Sequence, residues 1–217
     1  MNIVLDMDQT LIDGQYFLKP ELSFVTPRPH LETFLKWCFE NFTHVSIWTA
    51  ANRIWYDFVY ENCLKNILSK ISNTHNISRE FHFVFTSDKC NCVWKYSEWH
   101  GQSVKSTVKR LRKLHRYKSQ KYKNYHIDNT IIIDDNPRTY IFNYGNGIPI
   151  TAFETYHRNW DEDTQLLNLI TYLRNVLLPH YEKHKTILFL EKRYWMNYIE
   201  ELNDTNTTSD SENSLYD

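Results

Sequence analysis

Four carboxylates stand where apolar runs stop. Ile3-Val4-Leu5 leads into Asp6-Met7-Asp8-Gln9-Thr10, and Ile131-Ile132-Ile133 leads into Asp134-Asp135-Asn136-Pro137. A third run, His44 to Trp48, ends in Thr49-Ala50-Ala51-Asn52-Arg53, and Gly101-Gln102-Ser103-Val104-Lys105 offers a cation. If the runs are neighbouring strands, their ends meet at one edge, and four carboxylates there repel unless a cation joins them. Hard oxygen donors that could share a phosphate suit Mg²⁺. Taken singly, each residue has an ordinary reading. An Asp after a strand is commonly a cap or turn residue, Thr49 a helix cap, and Lys105 a solvated helix residue. Their joint occurrence in this order is what argues for a site.

The elements that must position them follow from periodicity. Phe81-His82-Phe83-Val84-Phe85 and Ile148-Pro149-Ile150 join the three runs above, and short continuous apolar runs suit strands buried on both faces. Helical spacing separates them: Leu31, Phe34, Leu35 and Cys38; Trp55, Phe58, Val59, Cys63 and Ile67; Val104, Val108, Leu111 and Leu114, in a helix starting near Gln102; and Leu166, Leu167, Ile170, Leu173, Val176 and Leu177. Strand and helix alternate, so the expected class is α/β, a Rossmann-like core with a mostly parallel central sheet and a small β-hairpin insertion from Cys90 to Gly101. In such sheets ligands lie beyond the carboxyl ends of the strands. One domain is expected over residues 1–180, a C-terminal helix over 181–202 and a disordered acidic tail over 203–217, where Asn, Thr, Ser and Asp leave almost nothing apolar to bury.

Composition excludes other classes. The net charge of −1 argues against a bulk polyanion binder, and 41% hydrophobic residues in a chain of 217 argue against disorder over most of its length. No run approaches the roughly 20 apolar residues of a membrane span, and Asp6 comes too early for a signal peptide. A soluble intracellular protein with no membrane partner is expected. Cys38, Cys63, Cys90 and Cys92 then read as reduced thiols. Cys90-Asn91-Cys92 with His82 and His100 lacks the spacing of a zinc knuckle.

The set of motifs resembles a known family. Asp6-Met7-Asp8-Gln9-Thr10 is similar to the D-x-D-x-T signature of the haloacid dehalogenase superfamily. Arg28-Pro29-His30 with Phe34-Leu35, Ile47-Trp48-Thr49-Ala50-Ala51-Asn52-Arg53, Gly101 to Lys105, Ile133 to Pro137 with Tyr140, and Asp161-Glu162-Asp163 before Leu166-Leu167 resemble, in order, motifs of the FCP/SCP-type phosphatases of the RNA polymerase II C-terminal domain. The likeness runs from about Asn2 to Leu178. The Cys90–Gly101 hairpin departs from it, being longer and carrying Trp94, Tyr96 and Trp99, and Asp134-Asp135-Asn136 stands where small members often have Asp-Asn-Ser.

The resemblance implies a Mg²⁺-dependent protein serine/threonine phosphatase. Asp6 would be the nucleophile, forming an aspartyl-phosphate, and Asp8 the general acid and then the general base. Thr49 and Lys105 would hold phosphoryl oxygens. Asp6, Asp8 (through its carbonyl), Asp134 and Asp135 would form the metal site, with Asp134 either a ligand through water or a partner of Lys105. Thr10, Arg28, Thr49, Ala50, Lys105, Trp94 and Trp99 are the expected substrate contacts, with a phosphorylated protein or peptide, such as the polymerase tail, as partner. Two alternatives stay open. A nucleic-acid 3′-phosphatase would use the basic stretch Lys105, Lys109, Arg110, Arg112, Lys113, Arg116, Lys118, Lys121 and Lys123, interleaved with Tyr117, Tyr122 and Tyr125, although a solvated face accounts for it more simply. A non-catalytic binding module, like the mitochondrial translocase receptor that resembles this fold, is disfavoured because both Asp6 and Asp8 are present.

Overall fold

The computed structural model describes residues 1–17, 20–75, 79–97, 101–117 and 119–213. In chain order its elements are β1 (Asn2–Leu5), β2 (Ile12–Gln15), β3 (Phe24–Pro27), α1 (Leu31–Asn41), β4 (His44–Trp48), α2 (Arg53–Val59), α3 (Lys65–His75), β5 (Val84–Phe85), β6 (Asn91–Ser97), β7 (Gln102–Val108), α4 (Arg112–Arg116), β8 (Thr130–Asp134), β9 (Gly147–Pro149), α5 (Gln165–Tyr172), α6 (Leu178–His184) and α7 (Trp195–Asn213).

Five strands form one all-parallel sheet in the order β5-β4-β1-β8-β9. Side chains alternate across it. Ile3, Leu5, Ile131 and Ile133 join the core under α1, α5 and α7, whereas Val4 and Ile132 join a second core with Trp48, Phe83, Phe85, Leu111, Leu114 and Tyr125. Burial on both faces explains why the runs are continuously apolar rather than alternating. Register does the positioning: Leu5 pairs with both Ile47 and Ile133, which sets Asp6 level with Trp48 and Asp134 at one sheet edge.

The fold class expected from sequence is the fold found. Its boundaries differ in three places. In the Phe81–Phe85 run only Val84 and Phe85 form strand, although His82 N–H still donates to Val45 O and Ile47 N–H to Phe83 O. The helix expected from Gln102 is not there: residues 102–108 are β7, paired antiparallel with β6 from Asn91↔Val108 to Ser97↔Gln102. Val104, Thr107 and Val108 are β-branched and favour a pleated strand over a helix, and Gly101 takes φ +60° at the turn. The hairpin therefore extends to Val108, and the helix that follows is the short α4.

At the C-terminus, α5 passes through a wide π turn (Leu173–Leu177) into α6, carrying the helix across Pro179 to His184. The wide turn accommodates a residue that lacks an N–H and crowds the carbonyl four places back. Lys185 then ends the helix at φ +58°. The expected single helix from Tyr181 to Leu202 is thus two, and α7 begins at Trp195, whose Nε1 donates to Pro149 O at 2.6 Å. The α7 backbone continues to Asn213, past the Leu202 boundary read from composition. No helix among the described residues is long and apolar enough to cross a membrane.

Candidate active site

β1 delivers Asp6 into the sheet edge, where its N–H donates to Ile133 O at 2.9 Å. The chain then turns sharply: the N–H groups of Thr10, Leu11 and Ile12 all converge on Met7 O, and Gln9 takes φ +57°. This turn directs Thr10 Oγ1 back to within 3.4 Å of Asp6 Oδ2 and 3.2 Å of Asp135 Oδ1, while the Asp135 N–H donates to the same hydroxyl.

The cation among these acids is Lys109. It is almost wholly buried, and its Nζ donates to Asp6 Oδ1 and, at 2.7 Å, to Asp134 Oδ2. Its backbone is clamped by Thr139 O, which accepts from its N–H, and by the Asn143 amide, which donates to its carbonyl and accepts from Leu111 N–H. Asp134 also accepts from Thr139 Oγ1 on Oδ2 and from the Asn136 backbone N–H on Oδ1. Burial pushes the Asp6 carboxyl well above the usual range, Lys109 opposes this, and Asp134 and Asp135 add to it. Asp135 is raised too, by burial first and then by Asp134. The Asp6 and Asp134 charges hold the Lys109 ammonium above its ordinary value despite burial.

Carboxylate oxygens of Asp6, Asp134 and Asp135 lie within 4.8 Å of one another. One ammonium faces three carboxylates, so the group can accept further positive charge. Each of the three keeps an oxygen that Lys109 does not hold: Oδ2 of Asp6, Oδ1 of Asp134 and the Asp135 carboxylate. Hard oxygens of this kind fit a small divalent cation.

Asp8 stands apart from that group. Its Oδ2 accepts from Thr49 Oγ1 at 3.1 Å and its Oδ1 from Trp55 Nε1. Trp55 is on α2, started by Asn52 Oδ1 accepting from Trp55 N–H, and its ring stacks on Phe58 with Tyr16 edge-on to both. Burial raises Asp8 above the usual carboxylate range, while Trp55 and Thr49 pull it back.

Residues 1–184 match the family described as NLI interacting factor-like phosphatase. The chain belongs to that family. Within the relatives of this phosphatase family, "Ubiquitin-like domain-containing CTD phosphatase 1" of Homo sapiens is 29% identical over 198 residues, covering 91% of this chain and 54% of its own length. The Drosophila melanogaster protein of the same name is 29% identical over 174 residues, 80% of this chain and 48% of its own. The chain spans about half the length of the curated relatives it matches. In fold it is similar to the solved structure of Fcp1, described as an essential RNA polymerase II CTD phosphatase, with a TM-score of 0.53 and 13% identity over 90% of this chain and 68% of that one.

The structure gathers Asp6, Thr10, Asp134 and Asp135 into one group and pairs Asp8 with Thr49 in a second. The lysine in the cluster is a different one from that expected. Lys105 pairs with Trp94 within the hairpin, and four extended residues put its Cα about 13 Å along the strand from that of Lys109. A Gly-to-Lys spacing identifies the site lysine only where the intervening chain coils into helix, and here it stays extended. Arg28, expected to contact substrate, is buried, with Nε and Nη2 on Asp163 at 3.1 and 2.8 Å and Nη1 on Thr10 O at 3.1 Å. It braces the turn that carries Thr10. Ala50 and Trp94 are exposed, and Trp99 lies outside the described residues. Cys90 Sγ accepts from Trp48 Nε1 at 3.2 Å, and Cys92 is exposed, so these thiols act separately. Sequence reasoning missed Trp55, placed on a helix's apolar face, and Thr139 and Asn143, which carry no motif of their own.

The Arg28 brace is open to test. Asp163→Ala leaves a buried guanidinium without its counter-charge and should destabilise the fold by about 3 kcal/mol, the low end for a broken buried pair because the Asp163 side chain is 17% exposed. Urea unfolding reads this directly, and an unchanged midpoint would show that Arg28 does not depend on Asp163.

Proposed function

We propose that this chain is a phosphoprotein phosphatase that uses Asp6 as nucleophile, Asp8 as acid and base, and Mg²⁺ as cofactor. The observation that carries the reading is the pairing of two differently held carboxylates on one turn, Asp6 against the Lys109 ammonium and Asp8 between the Thr49 hydroxyl and the Trp55 indole. In the first step an oxygen of Asp6 forms a bond to phosphorus as the bond to the seryl or threonyl oxygen breaks, and Asp8 delivers its proton to that leaving oxygen. In the second, water attacks the aspartyl-phosphate, Asp8 takes the proton, and the bond between Asp6 and phosphorus breaks. Burial supports the first role of Asp8 by favouring its protonated form. Lys109 and Thr49 would stabilise charge moving through the phosphoryl oxygens. Mg²⁺ held by Asp6 and Asp135 would reduce repulsion between nucleophile and phosphate.

A phosphorylated serine/threonine peptide, of the RNA polymerase II tail kind, is the proposed substrate. Tyr16, Trp55 and Phe58 make an aromatic group directly beside Asp8, with Phe17 and Phe24 partly exposed nearby on the β2–β3 arm. Such faces suit an extended, proline-containing segment. The nucleic-acid alternative loses part of its support, because Tyr125 is buried against Ser46 and His82, and Tyr117 and Tyr122 pack on the second core.

Two expected outcomes separate the roles. Lys109→Met should lower kcat about 100-fold or more, the scale for removing one preorganised positive group, with Lys105→Met within twofold of wild type and chelation by EDTA silencing both. Equal losses at the two lysines would contradict the assignment. Trp55→Phe keeps the aromatic packing and removes the donor to Asp8. Without that donor Asp8 should titrate higher, so the alkaline fall of kcat/KM on a phosphoserine peptide should move to higher pH. An unchanged pH profile would mean that Trp55 acts only through packing.

A further inference from the structure

Beside the hairpin base lies a concavity of about 270 Å³ lined by Asn91, Arg110, Arg112, Lys113 and Tyr117. Three of its five lining residues are cations, with no carboxylate among them. The guanidinium of Arg110 lies 3.7 Å from the centre of the Phe142 ring, which fixes its plane, and its buried Nε has no hydrogen-bond partner. The Asn91 Oδ1 is likewise buried without a partner, and turning that amide presents donors instead. Lys113 is fixed by donating to Lys89 O at 2.6 Å. Among the described residues neither Arg110 nor Arg112 has an ion-pair partner. Planar guanidinium forks beside an ammonium match the oxygens of a phosphate group.

We infer that this concavity is a second phosphate site, and that it takes another phosphorylated residue of the same peptide whose first phosphate meets Asp6. The inference rests on the phosphatase reading above. Its link to the active site is covalent: Arg110 directly follows Lys109, and the Asn143 amide ties the Lys109 carbonyl to the Leu111 N–H, so the two positions form one rigid unit. On this inference a peptide lying along the hairpin base engages both. The basic stretch of the sequence is then a local recognition device, with Lys109 turned inward and Arg110, Arg112 and Lys113 turned to the ligand.

The test uses the Asp6→Asn protein, which binds without turnover, and fluorescence anisotropy with peptides bearing one or two phosphoserines. The doubly phosphorylated peptide should bind at least tenfold tighter. Arg112→Gln with Lys113→Gln should remove that advantage and leave the singly phosphorylated peptide unchanged, while Arg112→Lys retains part of it. In the wild-type background the Gln pair should turn over p-nitrophenyl phosphate normally, which shows that it folds. Equal affinities for the two peptides, or equal losses for both, overturn the inference. So does saturation of the site by inorganic phosphate with no preference for a second peptide phosphate, which would make the free ion its ligand. An oligonucleotide whose binding falls steeply with salt and depends on Arg112 would assign it to nucleic acid instead. Failure of the underlying phosphatase reading appears separately, as no turnover of any phosphomonoester by wild type.

Discussion

The ammonium of Lys109, buried between Asp6 and Asp134, is the contact on which the rest of this molecule depends. Three carboxylates crowd one sheet edge, and two of them, Asp6 and Asp134, are almost wholly out of water. Desolvating such charges costs several kcal/mol each unless partners and hydrogen bonds offset it. Lys109 offsets part of the repulsion directly, and Thr139, Thr10 and the Asn136 backbone N–H donate to others of the carboxylate oxygens. The ammonium can be there only because β7 ends at Val108, against β6, and because Asn143 and Thr139 grip the residue after it. An element that looks peripheral, the hairpin, thereby supplies the centre of the site.

The same turn that carries Asp6 holds two carboxylates in different surroundings, which suits the division of roles proposed for them. Asp6 and Asp8 are two residues apart, yet their surroundings differ: an ammonium and further carboxylates for one, a hydroxyl and an indole for the other. Two carboxylates in unlike environments is the arrangement by which a protein divides nucleophile from acid. Arg28 and Asp163 hold the turn from behind, so residues far apart in sequence fix the geometry of a five-residue motif.

Much of this was legible in the sequence because the relevant signals are local. A buried parallel strand must be continuously apolar, and the first polar residue after it lies at the carboxyl edge, which is how Asp6, Thr49 and Asp134 could be found. The site lysine could not be found in that way. Residues 102–108 contain apolar positions compatible with a helical repeat and also with a strand, and only pairing with β6 over seven positions decides between them. Once decided, the decision moves the cation from Lys105 to Lys109. Trp55 was hidden for a related reason: its spacing marks an apolar helix face, and nothing local reveals that the indole N–H reaches Asp8. Arg28 was noticed for its charge, but whether it faces a ligand or Asp163 is a tertiary fact.

The most direct test of the account is to stop turnover with acid and locate the phosphoryl group. Wild-type protein mixed with excess phosphopeptide and Mg²⁺, quenched within a turnover and mapped by mass spectrometry, should carry an acid-stable, hydroxylamine-labile phosphoryl group on Asp6. Borohydride reduction should convert that residue to homoserine. Active turnover with the label on Asp8, or with no covalent species at any quench time and inversion of configuration at a chiral phosphorus, would contradict it.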